Sequence, residues 1–150
     1  MIEIKGDIWE YYDKDNWIVI PTNMRTDRFE RAIMGVGLAL DARKRFPDLS
    51  KVYGKHLLTI PREIFLYKRM FMSPTKVKPK DDSKYEVIAD SAKRLADIGI
   101  SWSKFEQANR LNMSNIYLPR VGCGCGKLIW KDVKKILEPI LDDRFIVVSK

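Results

Sequence analysis

Two cysteines alternate with three glycines in the stretch GCGCG, which follows a short apolar run and precedes an apolar-periodic segment. These residue types fit two kinds of chemistry. Thiols can bind a metal ion or form a redox pair, whereas glycines let backbone N–H groups approach an anion such as a phosphate. The five residues are Gly122, Cys123, Gly124, Cys125 and Gly126.

The sequence offers too few further ligands for a metal site at the two thiols, and their spacing does not suit a redox pair. A zinc site takes about four protein ligands, or three with a water, and His56 is the single histidine that could join the two cysteines. A redox pair usually has the spacing C-x-x-C, and cysteines separated by one residue do not easily form a disulfide. We therefore expect no metal and no cofactor, and we interpret Cys123 as a small apolar side chain beneath the loop.

A second glycine turn, Gly35-Val36-Gly37, precedes a helix-like segment in the same way. Glycine permits positive φ values and close approach, and a helix N-terminus attracts anions through its free N–H groups and its dipole. A single G-x-G also occurs in ordinary tight turns. Two such turns, each between a strand and a helix, predict a site that holds two phosphates.

Length, composition and charge limit the possible classes of protein. The chain has 150 residues, of which 45% are hydrophobic, so we expect one domain over residues 1–150. A net charge of +8 favours a phosphate ester, a nucleotide or a nucleic acid as partner, although basic residues also simply solvate a surface. The sequence lacks an apolar run of about 18 residues and a signal segment, so we expect a location inside the cell and no membrane partner. The oligomeric state is left open.

Apolar patterns predict the elements that must position these turns. Proline residues at positions 21 and 47 are expected to end a strand and a helix. Residues 57–76 contain one or two strands, the better of which is 67–72. The other predicted strands are 1–6, 16–23, 115–120 and 144–149, and the predicted helices are 33–46, 83–99 and 130–141.

The boundaries of the second helix rest on particular residues. Ser83 and Glu86 match a capping box, and Gly99 is expected to end the helix. Residues 101–112 form either a further short helix or an insertion. The predicted buried stripe of this helix consists of Ile88, Ala92, Leu95 and Ala96. The alternation of strands and helices favours an α/β domain with helices packed on a central sheet.

These stretches together resemble a macrodomain, in the branch that includes terminal ADP-ribose glycohydrolases and antitoxin macrodomains that remove ADP-ribose from DNA. Small phage-encoded members are also similar. The matching stretches follow the family's order: GDIWE, VIPTN, MGVGLALDARKRFP, SPTK, and LPRVGCG with LIWKDVKKIL. The resemblance implies a three-layer α/β/α sandwich with a mixed central sheet. It also implies ADP-ribose or an ADP-ribosylated macromolecule such as DNA as partner, in the cytoplasm of a bacterial or phage-infected cell.

The resemblance further implies roles for individual residues. Asp7 matches the acid that accepts a hydrogen bond from the adenine amino group, with Ile8 beside it, and Asn23 matches the residue that faces the distal ribose. Without the resemblance, Asp7 and Asn23 are ordinary turn residues after strands. The residues expected to enclose the diphosphate and distal ribose are Gly35, Val36, Gly37, Gly122, Cys123, Gly124, Cys125 and Gly126.

Lys76 matches the lysine that, in the resembling hydrolases, attacks or assists attack at the anomeric carbon. On its own, the run of Lys76, Lys78 and Lys80 is typical of a solvated surface. Relatives that act on protein esters carry an aspartate where this chain has Gly126, so the DNA-acting members match better. The expected function is an ADP-ribosyl hydrolase that uses Lys76. An ADP-ribose 1″-phosphate phosphatase and a non-catalytic ADP-ribose-binding module are the alternatives.

Overall fold

A mixed sheet of six strands organises the chain, and the computed structural model describes residues 1–109 and 115–150. The strands are β1 (Ile2–Lys5), β2 (Trp17–Thr22), β3 (Phe65–Tyr67), β4 (Met70–Pro74), β5 (Ile116–Leu118) and β6 (Phe145–Ser149). The helices are α1 (Ile8–Asp13), α2 (Gly37–Arg45), α3 (Leu49–Thr59), α4 (Tyr85–Asn109) and α5 (Trp130–Leu137).

The strand order across the sheet is β1-β6-β5-β2-β4-β3. All neighbouring pairs are parallel except β3 and β4, which pair antiparallel. The carboxyl ends of the five parallel strands therefore meet at one edge of the sheet. In open α/β sheets this edge is where ligands bind.

The central strand β2 is buried on both faces, as its apolar run predicted. Ile18 and Ile20 pack on one side with side chains from α1, α2 and α3, whereas Val19 packs on the other with α4 and α5. This arrangement confirms the predicted three-layer α/β/α sandwich with a mixed central sheet. Among the helices of the described residues, none combines the length and apolar character needed to span a bilayer.

Pro21 does not end β2, contrary to the prediction. The strand continues to Thr22, and Pro21 pairs in register with Ser73 of β4. The N–H of Ile18 points towards β4 and donates to the carbonyl of Arg69. Successive residues of a strand direct their N–H groups to opposite sides, so the nitrogen of residue 21 faces β5 instead. On that side β2 pairs with β5 at Trp17 and Ile18, so residue 21 lies beyond the paired segment and the missing N–H of proline interrupts none of these pairs.

The helix α2 begins four residues later than the predicted segment. The N–H of Ile33 donates to the carbonyl of Arg25, so this residue belongs to the preceding loop. Val36 is extended, with φ of −145°, and Gly37 opens the helix with φ of +59°. Residues 33–36 are thereby left as a loop at the carboxyl edge of the sheet.

The helix α4 differs from the prediction at both ends. Its first residue is Tyr85, and the hydroxyl of Ser83 donates to the Thr75 hydroxyl at 3.1 Å, so the capping-box prediction was wrong. The helix passes through Gly99, where an added Cβ would lie 3.4 Å from the Phe145 ring. Residues 101–109 continue α4, and residues 110–112 lie outside the described residues. The predicted stripe is confirmed, with Ile88, Ala92 and Leu95 buried and Ala96 packed against them.

The helix α3 was missed by the sequence analysis, although its buried side chains have helical spacing. Leu49, Tyr53 and Leu57 lie four residues apart and are all buried. Gly54 of this helix touches the loop before α2 so closely that an added Cβ would overlap the carbonyl oxygen of Glu30. The glycine therefore lets α3 pack directly against the backbone of that loop.

Gly54→Ala is expected to lower the free energy of unfolding by about 1–3 kcal/mol, the usual range for an extra methyl group in a packed site. Chemical denaturation monitored by circular dichroism measures it. The matched control is Gly99→Ala, whose methyl has room beside Phe145 and which should gain up to about 1 kcal/mol of helix propensity. Equal stability changes for the two variants would contradict the close packing of α3 on the loop.

Candidate functional site

A groove with two connected parts runs along the carboxyl edge of the sheet. The inner pocket has a volume of about 240 Å³ and lies beyond the ends of β2, β4 and β5. The outer pocket, of about 480 Å³, lies beyond the ends of β1 and β6. Gly37, Leu38, Arg120 and Gly124 line both pockets, so the two form one continuous groove.

The fold brings most of the predicted site residues into this groove. Ile8 lines the outer pocket. Asp7 and Cys123 are not among the lining residues of either pocket, although each is adjacent in sequence to residues that are. The predicted residues that line the inner pocket are Asn23, Gly35, Val36, Gly37, Lys76, Gly122, Gly124, Cys125 and Gly126.

The glycines of the groove have two different structural roles. Within the described part of the chain, an added Cβ at Gly35, Gly37 or Gly124 would meet no atom within 4 Å, so these glycines leave open space for a ligand. Gly122 has φ of +75°, and an added Cβ there would lie 2.7 Å from the Ile88 side chain. It is therefore required by the turn and by packing on α4, rather than by contact with a ligand.

Gly126 is also a packing glycine. An added Cβ would overlap the Ser83 hydroxyl and lie 2.5 Å from the carbonyl oxygen of Gly122. The N–H of Ser83 donates to the Gly126 carbonyl at 2.9 Å. Any side chain at position 126, including an aspartate, would thus require Ser83 and the loop to move.

Lys76 projects from the end of β4 into the inner pocket. Its residue is only 8% exposed, although a lysine is usually at the surface. Within residues 1–109 and 115–150, no ion pair or hydrogen bond of its ammonium group is found. The backbone is anchored on both sides, because Thr75 donates to the Thr22 carbonyl and Met24 donates to the Val77 carbonyl, each at 2.9 Å.

Asn23 joins the end of β2 to the loop before α2 through its amide group. Its Nδ2 donates to the Ile33 carbonyl at 2.8 Å, and its Oδ1 accepts from the Arg25 N–H at 2.9 Å. One N–H and one lone pair of the amide stay free for a ligand. The side chain therefore holds the loop before α2 in place and can still contact a bound group.

Asp7 is the N-cap of α1. Its Oδ1 accepts from the Trp9 N–H at 3.0 Å, and the residue is exposed beside the outer pocket. Gly6 and Ile8, on either side of it, line that pocket. The second carboxylate oxygen is available to a ligand, so the capping role and the predicted adenine contact are compatible.

Arg120 is a site residue that the sequence analysis did not single out. It lines both pockets, and its guanidinium pairs with the Glu3 carboxylate, to which Trp130 Nε1 also donates at 2.9 Å. Burial raises the pKa of Glu3, but the bonds from Arg120 and Trp130 outweigh it and hold this pKa below its ordinary value. The arginine is therefore a positioned cation. Its position at the end of β5, just before the glycine loop, could have identified Arg120 as a site residue from the sequence.

A larger depression of about 900 Å³ lies away from this groove, between α4 and the segment before β3. Its main cation, Arg94, is paired with Glu63 at 2.6 Å and with Asp90 at 3.1 Å. Because Arg94 is paired with two carboxylates and Asp97 adds another, this surface is acidic, and its described residues offer no unpaired cation comparable to Lys76. Metal ligation is also unsupported, since no three histidine, cysteine or acidic side chains converge among the described residues.

Comparison with solved structures identifies the fold. The macrodomain of Thermus aquaticus DarG is 24% identical, with a TM-score of 0.70 over 99% of this chain and 97% of that one. The macrodomain of Mycobacterium tuberculosis DarG is 19% identical, with a TM-score of 0.66 over 90% and 89%. Thermosipho africanus DarTG in complex with ADP-ribose is 19% identical, with a TM-score of 0.72 over 99% of this chain and 41% of that one. The chain has the macrodomain fold, as its motifs predicted.

A sequence comparison also finds a relative of this chain. The DNA ADP-ribosyl glycohydrolase of Thermus aquaticus is 30% identical over an alignment of 122 residues, and the match covers 73% of this chain. This chain spans about a third of that relative's length, since the match covers 31% of it. No protein-family model matches the chain.

The two thiols of the second glycine loop should differ in reactivity. Cys125 is exposed in the inner pocket, whereas Cys123 is half-buried. Burial raises the pKa of Cys123, and nearby Arg120 offsets this only in part. Because a raised pKa leaves less thiolate at a given pH, iodoacetamide at neutral pH should modify Cys125 first.

Mass spectrometry of the alkylated peptide, with Cys123→Ser and Cys125→Ser to assign each site, measures the two rates. Raising the pH should increase the rate at Cys123. Faster modification of Cys123 than of Cys125 at neutral pH would contradict the placement of the two side chains.

Proposed function

We propose that this protein binds ADP-ribose in the groove and hydrolyses the bond that joins ADP-ribose to a macromolecule such as DNA. The observation that carries the proposal is Lys76, a buried lysine without an acidic partner among the described residues, at the inner end of a glycine-lined groove. The likeness to a DNA ADP-ribosyl glycohydrolase supports it. We place this activity in the cytoplasm of a bacterial or phage-infected cell.

The groove suits an elongated ligand with a negative centre. The adenosine would lie in the outer pocket beside Ile8 and Asp7. The diphosphate would lie between Gly37 and Gly124, where the backbone leaves open space and Arg120 supplies positive charge. The N-terminus of α2 faces the same space, and no side chain of the described residues caps it, so its first N–H groups can bind an anion.

The distal ribose would then lie in the inner pocket, between Asn23 and Lys76. In this position the free N–H of the Asn23 amide can bind a ribose hydroxyl. The anomeric carbon would face the Lys76 amine. The attached macromolecule would leave the groove at this end, because the opposite end is filled by adenine.

The chemistry assigned to Lys76 is nucleophilic. Its amine nitrogen would attack the anomeric carbon, and the bond to the macromolecule would break with its electron pair moving to the linking atom, which takes up a proton. Opening of the sugar ring gives an imine between lysine and the sugar. Water then adds to the imine carbon, which releases ADP-ribose and regenerates the amine.

Gly126 explains why one residue is proposed rather than two. An aspartate at this position would overlap Ser83, so the loop is packed in a form that excludes the second catalytic group of the protein-ester hydrolases. The proposed mechanism therefore places no carboxylate of the second loop at the anomeric carbon. This favours the DNA-type substrate over a protein ester.

Free ADP-ribose should bind to the wild-type protein, and Asp7→Ala should weaken this binding by about 1.5–3 kcal/mol through loss of a charge-assisted hydrogen bond. Isothermal titration calorimetry measures it. Asp7→Ala should also lower stability by about 0.5–2 kcal/mol, because it removes the cap of α1. Asp7→Asn is the matched control: it keeps the cap but loses the charge, so stability should recover while affinity stays below wild type. Absence of heat and of a thermal shift at millimolar ADP-ribose would rule out the proposed site.

Lys76→Met should lower turnover of an ADP-ribosylated oligonucleotide by at least about 100-fold, the low end of what a positioned catalytic group contributes, with little change in ADP-ribose affinity. Methionine keeps the buried aliphatic stem, so the variant should fold. Lys80→Met, an exposed lysine of the same segment, is the matched control and should retain activity. Borohydride should trap a covalent sugar adduct on the wild type and not on Lys76→Met.

Three outcomes would point elsewhere. An active Lys76→Met protein would reject the lysine mechanism. Binding of ADP-ribose without turnover of ADP-ribosylated DNA or protein would indicate a binding module. Release of phosphate from ADP-ribose 1″-phosphate, with Lys76 dispensable, would indicate the phosphatase.

A further inference from the structure

A loop rich in exposed arginine lies between β2 and α2. This arginine loop, residues 25–31, presents Arg25, Arg28 and Arg31 to solvent together with Phe29, which is 65% exposed. Among the described residues, none of the three guanidinium groups is in an ion pair. An exposed phenylalanine contributes little to folding, so its place at the tip of the loop calls for another explanation.

The arginine loop is held rigidly. The carboxylate of Asp27 accepts from the backbone N–H groups of Phe29 at 2.8 Å and Arg31 at 3.1 Å. A bridge joins Thr26 to Ala32, and the backbone at Glu30 rests directly on α3 at Gly54. The loop is thus preorganised, which lowers the entropic penalty of binding a partner.

The position of the arginine loop relates it to the groove. It begins two residues after Asn23 and ends two residues before Ile33, and both of these line the inner pocket. Met24, just before the loop, bonds to the backbone of Val77, the residue after Lys76. The loop therefore borders the end of the groove where Lys76 lies.

We propose that the arginine loop binds the single-stranded nucleic acid to which the ADP-ribose is attached. This inference rests on the proposed function, in which the macromolecule leaves the groove at the Lys76 end. Phe29 would stack on an unpaired base, and the arginines would contact backbone phosphates. The guanidinium of Arg28 already lies 4.7 Å from the centre of the Phe29 ring, and exposed aromatic rings beside cations are typical of surfaces that bind single strands.

The chemistry favours nucleic acid over an acidic protein segment. The carboxylates of an acidic protein segment could pair with the arginines, but they would leave the exposed Phe29 ring without a partner. A nucleotide supplies both a phosphate for the guanidinium and a flat base for the ring. Asp27 does not oppose this, because its charge is directed to two backbone N–H groups of the loop itself.

The test uses the whole protein and an unmodified single-stranded DNA of roughly ten nucleotides, with binding followed by fluorescence anisotropy. Phe29→Ala should weaken binding by about 5-fold or more, as expected for loss of one stacked base. Arg28→Ala should weaken it and reduce the slope of log affinity against log salt by about 0.7, the value for one phosphate contact. Neither variant should change the affinity for free ADP-ribose, which is measured in parallel.

Two variants at the opposite end of the sheet serve as matched controls. Ile100→Ala removes an exposed apolar side chain, 55% exposed, from α4, and Lys14→Ala removes an exposed cation after α1. Both should bind the oligonucleotide like the wild type. All four changes lie at exposed positions, so thermal melting should show similar stabilities.

The outcomes separate this inference from the proposed function. If the wild-type protein does not bind ADP-ribose, the groove is not an ADP-ribose site and the proposed function is wrong. ADP-ribose binding without oligonucleotide binding, or oligonucleotide binding that is equally reduced by the control variants, would overturn the role of the arginine loop alone. Binding of a poly-glutamate peptide with the same dependence on Arg28, but not of the oligonucleotide, would assign the loop to an acidic protein instead.

Discussion

The close approach of Ser83 to Gly126 is the contact on which the geometry of the groove depends. Ser83 donates its N–H to Gly126 in the second glycine loop and its hydroxyl to Thr75, the residue before Lys76. Lys84 adds a bond from its N–H to the Thr75 carbonyl at 2.9 Å. One buried serine therefore fixes the end of β4 against the loop across the groove. The absence of a side chain at position 126 is what allows it.

This contact divides the glycines by physical role. Gly122 and Gly126 face inwards, where they allow the second loop to fold closely over the start of α4. Gly35, Gly37 and Gly124 face the groove, where they leave space. The first group sets the shape of the loop, and the second group determines how near an anion can approach the backbone. The sequence alone does not distinguish the two groups, because every member of both is a glycine.

Lys76 and Arg120 illustrate how the sheet distributes charge along the groove. Arg120 is held by Glu3 and Trp130 at the middle of the groove, where a permanent cation suits a diphosphate. Lys76 lies at the inner end, buried and without such a carboxylate among the described residues. The paired cation is suited to binding, whereas the unpaired amine is suited to chemistry. The difference arises from their partners rather than from their sequence neighbours.

The sequence by itself determined the α/β class, most of the strands and the two glycine turns, because each depends on local spacing of apolar residues or on glycine. The motif order also determined the macrodomain fold. It did not show that α4 continues through Gly99 or that β2 continues through Pro21. Those outcomes depend on packing against Phe145 and on where β5 stops pairing with β2. Only the tertiary structure decided that Ser83 bonds to Thr75 instead of capping α4, that Arg120 faces the groove, and that Gly126 has no room for a side chain. Each of these depends on atoms from segments far apart in the chain, whose distances no local pattern contains.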